Sequence, residues 1–117
     1  MITVVIAEDH QMLIDGVQSF LKYNPDIKVI GTANDGKELL KIVLLKRPKV
    51  VVTDIRMPLV DGIEATKAIK KELPYINVLA MTMFDQPDAI KQMIDAGAIG
   101  YILKNSGIEM LIDAIEN

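Results

Sequence analysis

The sequence predicts a doubly wound α/β domain, in which helices cover both faces of a five-stranded parallel sheet. Three observations carry this prediction. Short β-branched runs recur along the 117 residues, and their starts lie 23 to 28 residues apart. The segments between them change to the 3.6-residue period of amphipathic helices. Strands that alternate with helices in this way form parallel sheets through right-handed crossovers.

The five predicted strands are the β-branched runs themselves. They cover residues 2–6, 27–30, 50–52, 78–81 and 101–103. The first, third and fourth runs are apolar almost throughout, which is typical of strands covered on both faces. A half-exposed strand would alternate apolar and polar residues instead. These runs therefore imply a parallel sheet.

Five helices are predicted because apolar residues with helical spacing follow each strand. In chain order these residues are Leu13, Val17, Phe20 and Leu21; Leu39, Leu40, Val43 and Leu44; Ile63, Thr66, Ile69 and Leu73; Ile90, Met93 and Ile94; and Ile108, Leu111, Ile112 and Ile115. Helix boundary signals agree with this pattern. Asp61 and Glu64 have the spacing of a helix start, and Ser106 begins a capping box. Pro87 suits a first turn, and Gly97 follows a helix end.

Composition places the chain among single globular domains. Hydrophobic residues make up 50% and charged residues 25%, which permits a buried core and excludes a disordered segment. The net charge is −3 and basic residues form no long run, so this chain alone should not bind DNA. The absence of Cys excludes disulfides, thiolate nucleophiles and cysteine zinc sites. Neither a membrane span nor a signal peptide is evident, so a cytoplasmic location is expected.

Polar side chains follow four of the predicted strands. A parallel sheet gathers the carboxyl ends of its strands along one edge, where ligands bind in such folds. The residues expected there are Glu8, Asp9, Asp54, Thr82 and Lys104. Two carboxylates ~5 Å apart repel by roughly 3 kcal/mol, so this site needs a cation. Oxygen ligands favour Mg²⁺, and a metal, an ammonium and a hydroxyl around one carboxylate suit phosphoryl transfer.

The same residues resemble the receiver domain of two-component response regulators. The positions that match are Glu8, Asp9, Asp54, Met57, Pro58, Gly62, Thr82, Tyr101 and Lys104. The resemblance runs from Ile2 to the last helix, so residues 1–117 are expected to form one receiver domain, with no output domain in this chain. His10, Met83 and residues 100–105 are similar to the NarL/FixJ subgroup, whose members usually carry a LuxR-type helix-turn-helix domain.

This resemblance implies a flavodoxin-like strand order, 2-1-3-4-5, and a phosphorylation-activated signalling switch. Asp54 would accept a phosphoryl group from a sensor histidine kinase. Mg²⁺ would be held by Asp9, Asp54 and the backbone carbonyl of Arg56, with Glu8 acting directly or through water. Such a domain assists its own phosphotransfer and dephosphorylation, so it is not expected to be an enzyme.

The resemblance also implies how phosphorylation would change the surface of the domain. Lys104, Thr82 and Met83 would border the phosphoryl group. Tyr101 would then turn inward and change the surface formed by the fourth helix, fifth strand and fifth helix. Phosphorylation would favour a homodimer and control transcription through a helix-turn-helix domain that this chain lacks. No membrane partner is expected.

Three residues call for separate interpretation. Asn105 stands where the family commonly has Pro, and without Pro a cis bond after Lys104 would cost about 3 kcal/mol. Met83 replaces a small residue, so its bulk would narrow access to Asp54 and slow dephosphorylation. His10 is interpreted as a first-turn residue of the first helix, without a chemical role.

Other functions remain as alternatives. A stand-alone adaptor receiver would have the same residues. A Mg²⁺-dependent aspartyl-phosphate phosphohydrolase of the haloacid dehalogenase type normally carries Asp-x-Asp on its first strand, whereas His10 and Gln11 follow Asp9 here. A flavin carrier would need Gly, Ser or Thr in the phosphate-binding loop, and residues 8–10 are acidic instead.

Overall fold

The computed structural model describes residues 1–82, 87–104 and 107–116, and strands alternate with helices throughout. The strands are β1 (Ile2–Ala7), β2 (Ile27–Ala33), β3 (Val50–Asp54), β4 (Asn77–Thr82) and β5 (Gly100–Leu103). The helices are α1 (Gln11–Leu21), α2 (Gly36–Lys46), α3 (Gly62–Glu72), α4 (Pro87–Ala96) and α5 (Ile108–Glu116). Every predicted strand run lies inside one of these strands.

The five strands form one parallel sheet in the order β2-β1-β3-β4-β5, which confirms the predicted fold class and strand order. Ala7 pairs with Thr53, and Thr82 pairs with Leu103. The carboxyl ends of β1, β3, β4 and β5 are therefore level with one another. After β2 the chain crosses over β1 to reach β3, so the strand order reverses between β1 and β3, where ligands bind in open α/β sheets.

Core packing on both faces of the sheet explains the apolar strand runs. Val5 and Ala7 pack in one core cluster with residues of α2, α3 and α4. Val4 and Ile6 point the other way and pack with residues of α1 and α5. Successive residues of a strand alternate between faces, so both positions must be apolar when both faces are covered. Each fully buried Val or Ile contributes about 1.5–3 kcal/mol of hydrophobic stabilisation.

Three helix boundaries agree with the signals in the sequence. The Asp61 side chain accepts a hydrogen bond of 2.9 Å from the backbone N–H of Glu64 at the start of α3. Pro87 is the first residue of α4. Gly97 follows the end of α4 with φ of 118°, a left-handed conformation that favours glycine. Helix starts and ends were therefore readable from single residues.

The helical pattern was less accurate about which side chains are buried. Phe20, Leu44 and Ile94 are exposed, although their spacing assigned them to apolar helix faces. In α1 the fully buried residues are Ile14 and Leu21, seven positions apart on one line of the helix. Phe20 lies about 100° around the helix from Leu21 and so points away from the sheet.

The helices are short. The longest of those described have 11 residues, which is about 16 Å, roughly half the thickness of the hydrocarbon core of a bilayer. Among residues 1–82, 87–104 and 107–116, no helix has the length and apolar character needed to span a membrane.

Candidate functional site

Four strand ends bring acidic, hydroxyl and basic side chains to one edge of the sheet. Glu8 follows β1, Asp54 ends β3, Thr82 ends β4 and Lys104 follows β5. Glu8, Asp54 and Thr82 are buried, and only 7% of the Lys104 side chain is exposed. The structure therefore brings together residues that lie up to 96 positions apart in the sequence.

The ammonium of Lys104 connects the two buried carboxylates. Its Nζ donates hydrogen bonds to Oε1 and Oε2 of Glu8, at 2.9 and 3.0 Å, and to Oδ2 of Asp54, at 3.0 Å. Charge-assisted bonds of this length are among the strongest in proteins. One cation thus holds two carboxylates that would otherwise repel each other.

Burial and mutual hydrogen bonds shift the pKa values of Glu8 and Lys104. Burial raises the pKa of Glu8, and the neighbouring Asp54 carboxyl raises it further. Burial acts to lower the pKa of Lys104, but hydrogen bonds to Glu8 and Asp54 outweigh it and leave this pKa raised. Lys104 is therefore an ammonium at neutral pH, and its single charge does not fully neutralise the carboxylates around it.

His10 lies just before α1 and not in its first turn, so that expectation was wrong by one position. It precedes α1 as the N-cap residue and makes no side-chain capping bond. Its Nδ1 lies 2.9 Å from Oε1 of Glu8 and 3.0 Å from Oδ1 of Asp9. The hydrogen bond to Glu8 and the charge of Asp9 raise the pKa of His10. The available signal was that His10 directly follows Glu8 and Asp9 in the chain.

The donor set at this edge fits a hard divalent cation. The ammonium of Lys104 bonds the carboxylates of Glu8 and Asp54, and Asp9 adds a third carboxylate next to Glu8 in the chain, so a cation at this edge would have negative charge to balance. Mg²⁺ prefers oxygen ligands, keeps several waters and needs only one or two carboxylates. Arg56 lies in the loop that follows Asp54, and its side chain is 68% exposed. The predicted metal role of Arg56 concerns its backbone carbonyl, which this side-chain exposure does not affect.

Gly62 allows helix α3 to begin directly against the backbone of Asp54. The N–H of Gly62 donates a 2.8 Å hydrogen bond to the carbonyl of Ile55. A Cβ atom added at Gly62 would lie 2.1 Å from the backbone oxygen of Asp54. Only glycine permits this approach, so the start of α3 fixes the backbone on which the Asp54 carboxylate is carried.

The ends of β4 and β5 are joined at the site. The backbone N–H of Lys104 donates a 2.7 Å hydrogen bond to the carbonyl of Thr82. Three residues before Lys104, the Tyr101 side chain lies at the surface and is 47% exposed, while its neighbour Ile102 is buried. The residue expected to turn inward therefore points outward in this structure.

Three sequence expectations fall on Met83, Asn105 and Ser106, which lie outside the described residues. That Met83 narrows access to Asp54, that the bond after Lys104 lacks the help of a proline, and that Ser106 caps α5 therefore stay predictions.

Comparisons with known proteins find a matching family and similar relatives over nearly the whole chain. Residues 4–116 match the family model of the response regulator receiver domain. The chain is 41% identical over 115 residues to the transcriptional regulatory protein LiaR of Bacillus subtilis, covering 98% of this chain and 54% of LiaR. It is 42% identical over 113 residues to the oxygen regulatory protein NreC of Staphylococcus epidermidis, covering 96% of this chain and 52% of NreC. The chain thus spans about half the length of these curated relatives.

Solved structures share the fold over nearly the whole chain. The signal receiver domain of the response regulator NarL from Mycobacterium tuberculosis superposes with a TM-score of 0.90 at 28% identity, covering 99% of this chain and 97% of that one. A LuxR-family DNA-binding response regulator from Staphylococcus aureus gives a TM-score of 0.91 at 28% identity, with both chains fully covered. The order of strands and the edge that carries Asp54 therefore belong to a widely shared architecture.

Proposed function

This chain belongs to the receiver domains of two-component response regulators, and on that premise we propose that Asp54 accepts a phosphoryl group from a phosphohistidine of a sensor kinase. The observation that carries the proposal is the ammonium of Lys104, bonded to both Glu8 and Asp54. Phosphorylation adds negative charge to this carboxylate. A cation that already lies beside the carboxylate would stabilise that charge without rearrangement, which suits the carboxylate to act as the nucleophile.

The transfer involves one bond made and one bond broken. An oxygen of the Asp54 carboxylate attacks phosphorus in line while the phosphorus–nitrogen bond of the phosphohistidine breaks, and the electron pair of that bond leaves with the imidazole. No group is oxidised or reduced. The aspartyl phosphate carries about one more negative charge than the carboxylate did. Because Lys104 Nζ lies 3.0 Å from Oδ2 of Asp54, it needs only a small movement to bond a phosphoryl oxygen.

We assign the metal ligands to the same edge. Asp9, Asp54 and the backbone carbonyl of Arg56 would hold Mg²⁺, and Glu8 would act directly or through water. When bound, Mg²⁺ would neutralise charge on the phosphoryl oxygens. The grouping of the Glu8 and Asp54 carboxylates around one ammonium supports this assignment, because a divalent cation would balance charge that Lys104 alone leaves uncompensated.

Thr82 and Tyr101 would convert the new charge into a change of surface. The hydroxyl of Thr82, at the end of β4, would move to bond a phosphoryl oxygen. Tyr101 would then turn from the surface into the space that opens behind Thr82. Since Tyr101 lies on β5, the surface formed by α4, β5 and α5 would change shape.

We propose that this surface controls transcription. LiaR is named a transcriptional regulatory protein, and the chain matches about half of its length. The other half would correspond to a helix-turn-helix output domain outside these residues, which would contact DNA. Phosphorylation would favour a homodimer, and a cytoplasmic location would give access to both kinase and DNA.

Intact-mass analysis after incubation with an acyl-phosphate donor and Mg²⁺ tests the phosphoacceptor. We expect one added phosphoryl group on the wild type and none on Asp54→Asn. Asp61→Asn is a matched control on the same loop, because asparagine also caps helices and the variant should still be phosphorylated. A label on another residue, or a labelled Asp54→Asn, would contradict the assignment.

A further inference from the structure

The turn that joins β2 to α2, residues 33–36, holds the segment after β1 by both backbone groups of Glu8. The backbone N–H of Glu8 donates a 2.9 Å hydrogen bond to the carbonyl of Ala33. The side-chain amide of Asn34 donates a 3.3 Å hydrogen bond to the carbonyl of Glu8. Neither bond uses the carboxylate of Glu8. The turn therefore fixes the backbone from which the Glu8 and Asp9 side chains extend.

A chain of side-chain amides fixes the direction in which Asn34 donates. Its Nδ2 also donates a 3.0 Å hydrogen bond to Oε1 of Gln11, and Nε2 of Gln11 donates a 2.8 Å bond to the Asp15 carboxylate. A backbone carbonyl and an ionised carboxylate can only accept hydrogen bonds. With acceptors of this kind at both ends, the two amides must present their N–H groups in the order observed.

The same turn contacts the second loop of the candidate metal site. Gly36, the first residue of α2, lies against the backbone of Val60 in the loop between β3 and α3. A Cβ atom added at Gly36 would overlap the carbonyl oxygen of Val60, so only glycine allows this contact. That loop begins directly after Asp54 and includes Arg56. Residues 33–36 thus contact both segments that carry the assigned metal ligands.

The two segments must keep a fixed separation to hold one ion. Asp9 belongs to the first segment, and Asp54 and the backbone carbonyl of Arg56 belong to the second. Mg²⁺ demands near-ideal octahedral geometry, so its affinity depends on how precisely these ligands are spaced. We infer that the turn between β2 and α2 sets this spacing, and that Asn34 is its positioning residue. The inference rests on the ligand set of the proposed function.

Loss of the Asn34 amide should weaken Mg²⁺ binding without affecting the nucleophile. Asn34→Ala removes two hydrogen bonds at an exposed side chain, and each such bond changes an equilibrium by a factor of about 2–10. We expect the Mg²⁺ dissociation constant to rise about 3- to 10-fold. Asp54 and Lys104 keep their contact, so the rate of phosphorylation by an acyl-phosphate donor at saturating Mg²⁺ should stay within about twofold of the wild type.

NMR amide chemical shifts followed through a Mg²⁺ titration give the dissociation constant without any phosphorylation. Asn24→Ala is the matched control, because the Asn24 side chain accepts a backbone hydrogen bond in the turn between α1 and β2, at the opposite edge of the sheet. This control should bind Mg²⁺ as the wild type does. Equal dissociation constants for the wild type and Asn34→Ala, an equal loss in both variants, or no binding to the wild type would overturn the inference.

A double-mutant cycle separates positioning from a general loss of stability. Because Gln11 acts through the Asn34 amide, Gln11→Ala should weaken Mg²⁺ binding in the wild type and add nothing in Asn34→Ala. Additive losses would contradict this order of action. A lower maximal rate with an unchanged Mg²⁺ requirement would place the effect of Asn34 on Asp54 and overturn its role in spacing the ligands.

The contact with Val60 is tested in the same titration. Gly36→Ala should also raise the Mg²⁺ dissociation constant, because its Cβ would displace the Val60 carbonyl. Gly31→Ala is the control on β2, where the Cβ would meet a side-chain methyl of Ile42 that can shift. A folded Gly36→Ala with wild-type affinity would overturn the role of the turn in spacing, and if this variant does not fold, Asn34→Ala decides. If Mg²⁺ binds but no phosphoryl group is accepted, the proposed function fails and the titrations still decide the inference.

Discussion

Replacing Lys104 with methionine would leave two buried carboxylates without their cation. Nζ of Lys104 bonds both oxygens of Glu8 and one oxygen of Asp54, and Glu8 has no exposed surface. Methionine keeps an unbranched stem of similar volume, so Lys104→Met removes the charge with little change in packing. We expect the variant to fold with a large loss of stability in buffer without Mg²⁺.

The magnitude follows from the burial of the pair. Removing one partner of a buried ion pair costs about 3–5 kcal/mol, because a charge is left without compensation in a poorly solvated place. Solvent screening reduces this little, since only 7% of the Lys104 side chain is exposed. A domain of this length unfolds with an entropy of about 0.25 kcal/mol per kelvin, so the midpoint should fall by roughly 12–20 °C.

The loss should grow as pH rises. Burial raises the pKa of Glu8 above its ordinary value of 4.5, and the bond from Lys104 is one of the contacts that oppose this rise. Without Lys104 the pKa of Glu8 rises further. A carboxyl whose pKa is higher in the folded than in the unfolded protein binds its proton more tightly when folded. The stabilising contribution of this carboxyl is therefore retained below pH 4.5 and is lost as pH rises through the folded-state pKa. The free energy of unfolding of Lys104→Met should accordingly be lower at pH 8 than at pH 5.

Urea unfolding in EDTA at pH 5 and pH 8 measures both effects. Lys91→Met is the matched control, because the exposed ammonium of Lys91 lies 3.5 Å from Asp95 and its loss should cost less than about 1 kcal/mol. Adding Glu8→Gln to Lys104→Met should recover much of the stability at pH 8. A Lys104→Met loss below about 1 kcal/mol at pH 8, or an equal loss at both pH values, would refute the reasoning.

Four further predictions concern the metal, the loop and the output surface. Mg²⁺ at ten times its dissociation constant should stabilise the fold by about 1.4 kcal/mol and Asp9→Asn should reduce this; an unchanged melting midpoint at millimolar Mg²⁺ would argue against the metal site. Gly62→Ala should lower the free energy of unfolding by several kcal/mol, because its Cβ would collide with the Asp54 carbonyl. Gly16→Ala is the control: its Cβ would meet open space, and the variant should gain about 0.5–1 kcal/mol. Equal melting midpoints for the two variants would contradict this. Tyr101→Trp introduces the sole tryptophan, and its fluorescence should shift to shorter wavelength on phosphorylation; constant emission would mean that the side chain stays outside. Sedimentation should show a monomer becoming a dimer on phosphorylation, while a monomer in both states well above micromolar concentration would favour an adaptor.

Periodicity was sufficient to predict the sheet and its helices, because it reports which faces are buried. Strands covered on both sides have no polar alternation, and β3 is buried at every position. The same reasoning was weaker for single helix residues. Ile14 is buried although the predicted apolar face of α1 was drawn through Phe20. An apolar stripe predicts the rotation of a helix about its axis only to within one residue position. The contacts of α1 with the sheet determine its actual rotation.

The site could be predicted where topology alone determined it. Parallel strands bring Glu8, Asp54 and Lys104 to one edge whatever their side-chain rotamers are. In the structure, carboxylate oxygens of Glu8 and Asp54 lie 3.0 Å from Nζ of Lys104. The contact of His10 with Asp9 depends instead on the loop conformation before α1 and on the rotamer of the ring. Neither of these is encoded in spacing, so the order Glu8-Asp9-His10 alone did not separate His10 from an ordinary helix-start residue.

The positions of the site residues in the sheet suggest how a charge added at Asp54 would change the shape of the surface near Tyr101. Asp54 ends β3, which has neighbours on both sides, and the start of α3 is packed against its backbone. Lys104 follows β5, which among the described residues is an edge strand paired with β4. Edge strands have fewer contacts to break and so move at lower free-energy cost than central ones. The hydrogen bond from Lys104 N–H to the Thr82 carbonyl joins the ends of β4 and β5, so a shift of Thr82 toward a phosphoryl group would also displace the strand that carries Tyr101. If Asp54 is phosphorylated as proposed, a nucleophile on a central strand beside an edge strand would convert a local charge into a change of shape on one side of the domain.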